Sequence, residues 1–258
     1  MQKAVLITGC SSGIGLVVAN DLKQRGYRVI ATCRKPEDIE RLQQLGFETI
    51  RLDLDDSDSV HEAAAEALRL TEGKIYGLFN NGGFGIYGRL NTITRPQFER
   101  QFSTNLFGAH ELTQLLLPAM LAQGEGRIIQ TSSVMGIIST PGRGLYAASK
   151  YALEAWSDAL RLELYGSGIQ VSLIEPGPIS TSFTHNVNQT QQDKPVENPS
   201  IARRFTLPPE ALLPAIRHAL ESPRAKIRYR VTLVTTAMAI CKRLLPDRLM
   251  DIILKNKG

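Results

Sequence analysis

The chain of 258 residues is short of cysteine, histidine and tryptophan: three Cys, four His and one Trp. Cys10, Cys33 and Cys241 make no C-x-x-C pair and no even-numbered framework, which argues against a disulfide-stapled secreted fold and suits a reducing compartment. His61, His110, His185 and His218 show no metal-ligand spacing, so no metal is expected. Long apolar runs are missing too. The late stretch VTLVTTAMAI is well short of the roughly 20 residues that span a bilayer, and Ala4–Ile7 is too short for the core of a leader peptide. A cytoplasmic protein without a stable membrane span is expected. Net charge is only +5. Residues 201–258 carry twelve Lys/Arg against four acids, but these are scattered through apolar periodicity with no basic–aromatic platform. A solvated, mildly basic surface is the plainer reading, and no nucleic-acid partner is expected.

With 43% hydrophobic residues there is ample material for one large core. Short apolar runs at 4–8, 27–33, 47–52, 75–80, 127–131, 169–174 and 227–233 read as strands buried on both faces. Helix-period segments separate them at 13–25, 36–45, 57–71, 95–121, 143–165 and 208–221. This alternation predicts an α/β fold: one Rossmann-type doubly wound parallel sheet over residues 1–258, with helices on both faces. Two stretches break the rhythm. Residues 184–205 are long and polar, just past a strand end, and read as a substrate lid. Residues 235–258 form a helical extension carrying Met238, Ile240, Leu244, Leu245, Leu249, Ile252 and Ile253 beside basic residues. It reads as a cover for the substrate cleft or a subunit contact; an interfacial membrane helix is the sharper alternative.

The first strand runs directly into TGCSSGIG, and a helix pattern follows. Gly9 suits a tight turn, Gly13 a close backbone approach to a pyrophosphate, and Gly15 close packing of helix on strand. Alone, G-x-x-x-G-x-G could be a plain strand–helix turn. It has company. Tyr146 and Lys150 in YAASK lie four apart on one helix face, and Ser133 stands thirteen residues before Tyr146 at a strand end.

Together with N-N-x-G at 80–83, Asn105 inside a long helix and P-G-x-x-x-T at 176–181, these motifs resemble the short-chain dehydrogenase/reductase family from Thr8 to Thr181, in its order and spacing. Within it, ITGCSSGIG and the tail resemble NADP-dependent aldehyde reductases and hydroxysteroid and retinol dehydrogenases, which act on lipophilic carbonyls. Gly82 departs from the family's usual alanine. The resemblance implies that Ile14, Asn80, Gly82, Pro176, Gly177, Ile179 and Thr181 contact the cofactor, with Asp53 and Leu54 on the adenine. It implies that Lys150 holds the nicotinamide ribose and that Asn105 positions a water in a proton relay to Lys150. It also implies a homodimer or homotetramer built on the helices of Asn105 and Tyr146.

The chemistry also follows from the residues. A tyrosine hydroxyl titrates near 10, and bringing it to about 7 requires roughly 4 kcal/mol in favour of the phenolate. One ammonium about 4 Å away supplies that at an effective dielectric near 20. Tyr146 would thus exchange the proton of a carbonyl being reduced, with Ser133 on the same oxygen. Phe84, Ile86, Tyr87, Met135, Leu145 and Phe183 stand near these motifs and predict an apolar carbonyl substrate, with Phe84, Met135, Phe183, Ser133 and Tyr146 as its contacts. Ser132 is the rival to Ser133. A nucleotide-sensing protein on the same fold is the rival class, disfavoured because Ser, Tyr and Lys are all present.

The second strand ends in Arg34-Lys35, where an NAD site would carry an acid for the ribose hydroxyls. A guanidinium there suits a phosphate, which predicts NADP(H), with Ser12 and then Ser11 donating from the other side.

Overall fold

The computed structural model describes residues 2–183, 187 and 205–255. Seven parallel strands form one sheet in the order β3-β2-β1-β4-β5-β6-β7: β1 Ala4–Ile7, β2 Arg28–Cys33, β3 Glu48–Arg51, β4 Ile75–Asn80, β5 Gly126–Thr131, β6 Ile169–Glu175 and β7 Arg228–Arg230. Alternate side chains feed opposite faces. Val5 and Ile7 join Val18, Leu22, Ile216 and Leu220 on one face, while Leu6 meets Val60, Leu112 and Leu116 on the other. The order reverses between β1 and β4, and the C-terminal ends of these strands form the crevice where such sheets bind ligands.

The helices are α1 Gly13–Gln24, α2 Pro36–Gln44, α3 Ser57–Leu70, α4 Arg95–Phe102, α5 Gly108–Gln123, α6 Gly144–Glu163, α7 Leu213–Glu221, α8 Leu233–Leu244 and α9 Asp247–Leu254. The long helix predicted over 95–121 is interrupted by a π turn at Ser103–Phe107, where an extra residue per turn rotates Asn105 inward. Just beyond it, Gly108 seats α5 directly on β3's loop: a Cβ there would lie 2.2 Å from the Leu54 carbonyl oxygen. The strand predicted over 227–233 shrinks to Arg228–Arg230 because Thr232 caps α8, accepting from the Thr235 N–H. The predicted tail helix is two helices, broken where Pro246 cannot continue the first. Both lie against the cleft: Met238, Cys241, Leu245, Met250, Ile253 and Leu254 pack with Val134, Met135 and Tyr146. The predicted lid falls almost entirely outside the described residues. Among those described, no helix is long and apolar enough to cross a membrane.

Candidate active site

The turn after β1 is shaped by close backbone contacts. Gly9 has φ +73°, in the left-handed region, and a Cβ on it would lie 2.8 Å from Cα of Gly82. Gly15 lets α1 sit on that turn, since its Cβ would be 2.3 Å from the Gly9 carbonyl oxygen. The hydroxyl of Thr8 accepts from the N–H groups of both Asn81 and Gly82, at 2.9 and 2.8 Å, and so locks the second turn against the first. α1 begins without a side-chain cap and without an acid in its first turn, whereas α3 is capped by Asp56. Its first N–H groups therefore point into the cleft unsatisfied by side chains, at the positive end of the helix dipole.

Two lobes share Gly9, Ser11, Gly82, Gly83 and Phe84. The lobe over β2 and β3, about 430 Å³, is lined by Arg34, Lys35, Asp38, Asp53 and Leu54. Its charges are loosely held: Arg34 stands 3.9 Å from Asp53 and Lys35 3.7 Å from Glu37. Ser11 lines both lobes and Ser12 only the other, so Ser11 is the serine that shares a lobe with Arg34. Arg41 donates to the Ser11 carbonyl and pairs with Asp38, fixing that side of the turn.

The second lobe, about 260 Å³, takes in Ser12, Gly13, Ile14, Ser133, Met135, Tyr146, Lys150, Pro176, Gly177, Ile179, Thr181 and Phe183. Tyr146 lies beside Ser133, which draws its titration down, and the Ser133 Oγ accepts from the Met135 N–H at 3.1 Å. Ser132, the rival, also lines this lobe, but its hydroxyl is buried beneath Gly136 near Glu154, without a hydrogen-bond partner among the described residues. Tyr87 and Phe183 flank the Tyr146 ring, with centroids 5.9 and 5.5 Å away. Ile86 and Leu145, expected nearby, are buried and do not line either lobe.

Burial and then Tyr87 push the Tyr146 hydroxyl above the ordinary value, against smaller opposing pulls from Ser133 and Arg143. Lys150 lies behind the ring, its Nζ 5.8 Å from the centroid and donating to the Thr131 carbonyl at 2.7 Å. Burial lowers the lysine itself to about 8, with the Glu154 carboxylate one turn on holding it up. The simple expectation of one ammonium lowering the phenol thus omits desolvation, which acts against both charges.

Of the predicted cofactor and catalytic residues, Gly15, Asn80 and Asn105 line neither lobe. Asn80 turns away from it and donates to the Thr113 hydroxyl on α5 at 3.0 Å, leaving Asn81 as the lining residue. Asn105 stands behind the wall: it accepts from the Phe84 N–H at 3.0 Å and donates to the Phe84 carbonyl at 2.9 Å and to Ser149 at 3.1 Å. Its side-chain amide holds the loop. Gln101, which sequence reasoning missed, completes this clamp on the Phe84 carbonyl and Ile86 N–H, at 2.8 and 2.7 Å. Glu154 was also missed. Its spacing of four from Lys150 was the available signal. It pairs with Arg228 at 3.0 Å, and Arg228 in turn meets the buried Glu175 at 3.2 Å. Among the described residues no group of three metal-ligating side chains gathers.

The comparisons agree with this geometry. Residues 3–192 match the family model described as short chain dehydrogenase. The uncharacterized oxidoreductase YbbO of Escherichia coli strain K12 is 66% identical over 256 residues, covering 99% of this chain and 95% of that protein. Retinol dehydrogenase 5 of Homo sapiens is 41% identical over 186 residues, or 70% of this chain and 58% of that one. A solved short-chain dehydrogenase from Streptomyces avermitilis superposes with a TM-score of 0.82 at 28% identity, covering 98% of this chain and 95% of that one. With a family match across most of its length, a Rossmann-type sheet and the Ser133–Tyr146–Lys150 cluster at the strand ends, the chain is an oxidoreductase of the short-chain dehydrogenase/reductase family.

Proposed function

We propose that the protein is an NADP(H)-dependent oxidoreductase that interconverts an apolar aldehyde or ketone and its alcohol. The observation that carries this reading is a buried tyrosine beside a serine, at the apolar end of a cleft that runs back to an uncapped helix N-terminus. That N-terminus fits a pyrophosphate, and the loosely paired Arg34 and Lys35 beside Ser11 fit a 2′-phosphate. Asp53 and Leu54 fit the adenosine between them. When bound, the nicotinamide supplies or accepts the hydride.

The remaining work falls to the chain. Ser133 and Tyr146 hold the carbonyl oxygen by two donated hydrogen bonds, which strengthen as negative charge gathers there. A tyrosine kept protonated by burial is in the right form to give its proton to that oxygen in the reductive direction. The Lys150 ammonium, 5.8 Å from the ring centroid, then supports the phenolate left behind and would hold the ribose hydroxyls. Tyr87, Met135 and Phe183 exclude water and favour an apolar substrate; retinol dehydrogenase 5 acts as a precedent for such a substrate in a relative. Exposed Phe107, Tyr151, Leu162 and Tyr165 on and beside α5 and α6 suit the subunit contacts of a homodimer or homotetramer.

The test is a screen of NADPH and NADH oxidation across straight-chain aldehydes, retinal, ketosteroids and 3-oxoacyl thioesters. NADPH with medium- or long-chain aldehydes is expected to give the highest kcat/KM. Turnover confined to thioesters, or equal use of both cofactors, contradicts the reading.

A further inference from the structure

The two C-terminal helices are apolar on two sides. Met238 and Cys241 on α8, and Met250, Ile253 and Leu254 on α9, face inward and close the cleft over Val134, Met135 and Tyr146. Leu233, Ile240 and Leu244 face outward on α8 at spacings of seven and four, which is one stripe down the helix. On α9 Leu249 and Ile252 are exposed, three apart. All five are exposed, Leu233 and Leu244 by 76% and 73%. Among the described residues nothing packs over these side chains, and exposed apolar surface of this kind marks a contact surface.

Charge says what kind. From Leu233 to Lys255 the helices carry Lys242, Arg243, Arg248 and Lys255 against Asp247 and Asp251. Among the described residues only Lys242 of these cations has a carboxylate partner, Asp247 at 3.1 Å. Arg243 and Arg248 stand on either side of the turn at Leu245–Pro246 that joins the two helices. A second copy docking this face on itself would set these cations against their own images, which disfavours the contact. An anionic lipid surface takes both features at once, apolar stripe into the acyl boundary and cations against phosphates. The helices, of 12 and 8 residues, are too short to span, so they would lie in the plane.

We propose that the outer faces of α8 and α9 dock the protein on an anionic membrane surface, setting the roof of the catalytic cleft against the bilayer that dissolves apolar carbonyls. The surface argument stands apart from the substrate reading above, and so does its test. The full chain is sedimented with phosphatidylcholine vesicles with and without phosphatidylglycerol. Binding at least about tenfold tighter to the anionic vesicles is expected, and it should weaken as salt is raised. Ile240→Glu/Leu244→Glu/Ile252→Glu should lose vesicle binding with an unchanged melting temperature, since these side chains are outside the core. Arg243→Gln/Arg248→Gln should lose the preference for anionic lipid. Wild-type protein that stays in the supernatant, or a triple-Glu variant that binds like wild type, overturns the proposal. So does a stripe that instead drives concentration-dependent self-association abolished by the same substitutions.

Discussion

The two lobes of the cleft share one glycine turn but are built on opposite physical terms. Over β2 the side chains of Arg34 and Lys35 are 53% and 60% exposed, and their nearest carboxylates are 3.9 and 3.7 Å away. Over β5 Tyr146 and Lys150 are 7% and 5% exposed, and both are displaced from their ordinary titration range by burial. Exposed charges are screened and interact weakly until a multivalent anion arrives. Buried groups are screened little by salt and are held in a fixed geometry. The contrast separates selection of a phosphate at one end from proton transfer at the other.

That separation can be broken most severely at the buried end. Tyr146→Phe removes the proton donor and is expected to lower kcat about a thousandfold while NADPH dissociation changes little. Single-turnover kinetics beside a fluorescence titration of NADPH checks both halves. Lys150→Ala should lower kcat similarly but also weaken NADPH, which distinguishes the two residues. At the exposed end, Arg34→Ala should raise the NADPH KM about tenfold and leave the NADH KM alone, because it removes one charge-assisted contact to the 2′-phosphate. A smaller increment tests the dry wall: each added methylene should raise kcat/KM about fourfold until the cleft is filled, from about 0.8 kcal/mol per buried CH₂. A flat series across aldehyde lengths would count against an apolar cleft.

The smallest effect sharpens the role of Glu154. Lys150 must be protonated to act as a cation, and it loses that proton as pH rises through about 8. kcat/KM should therefore fall above that pH. The groups facing Glu154 are Lys150 and Asp158 on its own helix, Arg228 from β7, Glu175 from β6 and Ser132 beyond β5. Glu154→Gln removes the nearest charge favouring the ammonium, so the fall should move toward neutral pH by less than a unit, a change of a fewfold near pH 8. An unmoved profile would assign Glu154 to the ion network alone.

Much of this was legible in the sequence because it rests on local rules. The positions of β1 and α1 follow from an apolar run ending in Gly9, and the shared face of Tyr146 and Lys150 from their spacing of four. What escaped depends on tertiary geometry. At the end of β4, neighbouring asparagines point to opposite faces, and only the packing of α5 against Asn80 decides that Asn81 meets the cleft. Asn105 was recognised as special, yet the π turn that rotates it inward has no signature in the sequence. Its clamp on Phe84, shared with Gln101, required knowing where that loop lies. The break of the tail was foreshadowed by Pro246, though not the apolar stripe left facing outward.

The central claim, that the lobes act separably, is tested most directly by Arg34→Ala, Tyr146→Phe and their double variant, assayed with saturating NADPH and with saturating NADH. Arg34→Ala should change only the ratio of the two KM values, Tyr146→Phe only kcat, and the double variant should show both changes in full, as for sites that do not touch. A fall in kcat at saturating NADPH for Arg34→Ala, or a double variant no worse than Tyr146→Phe in its cofactor ratio, would contradict the account.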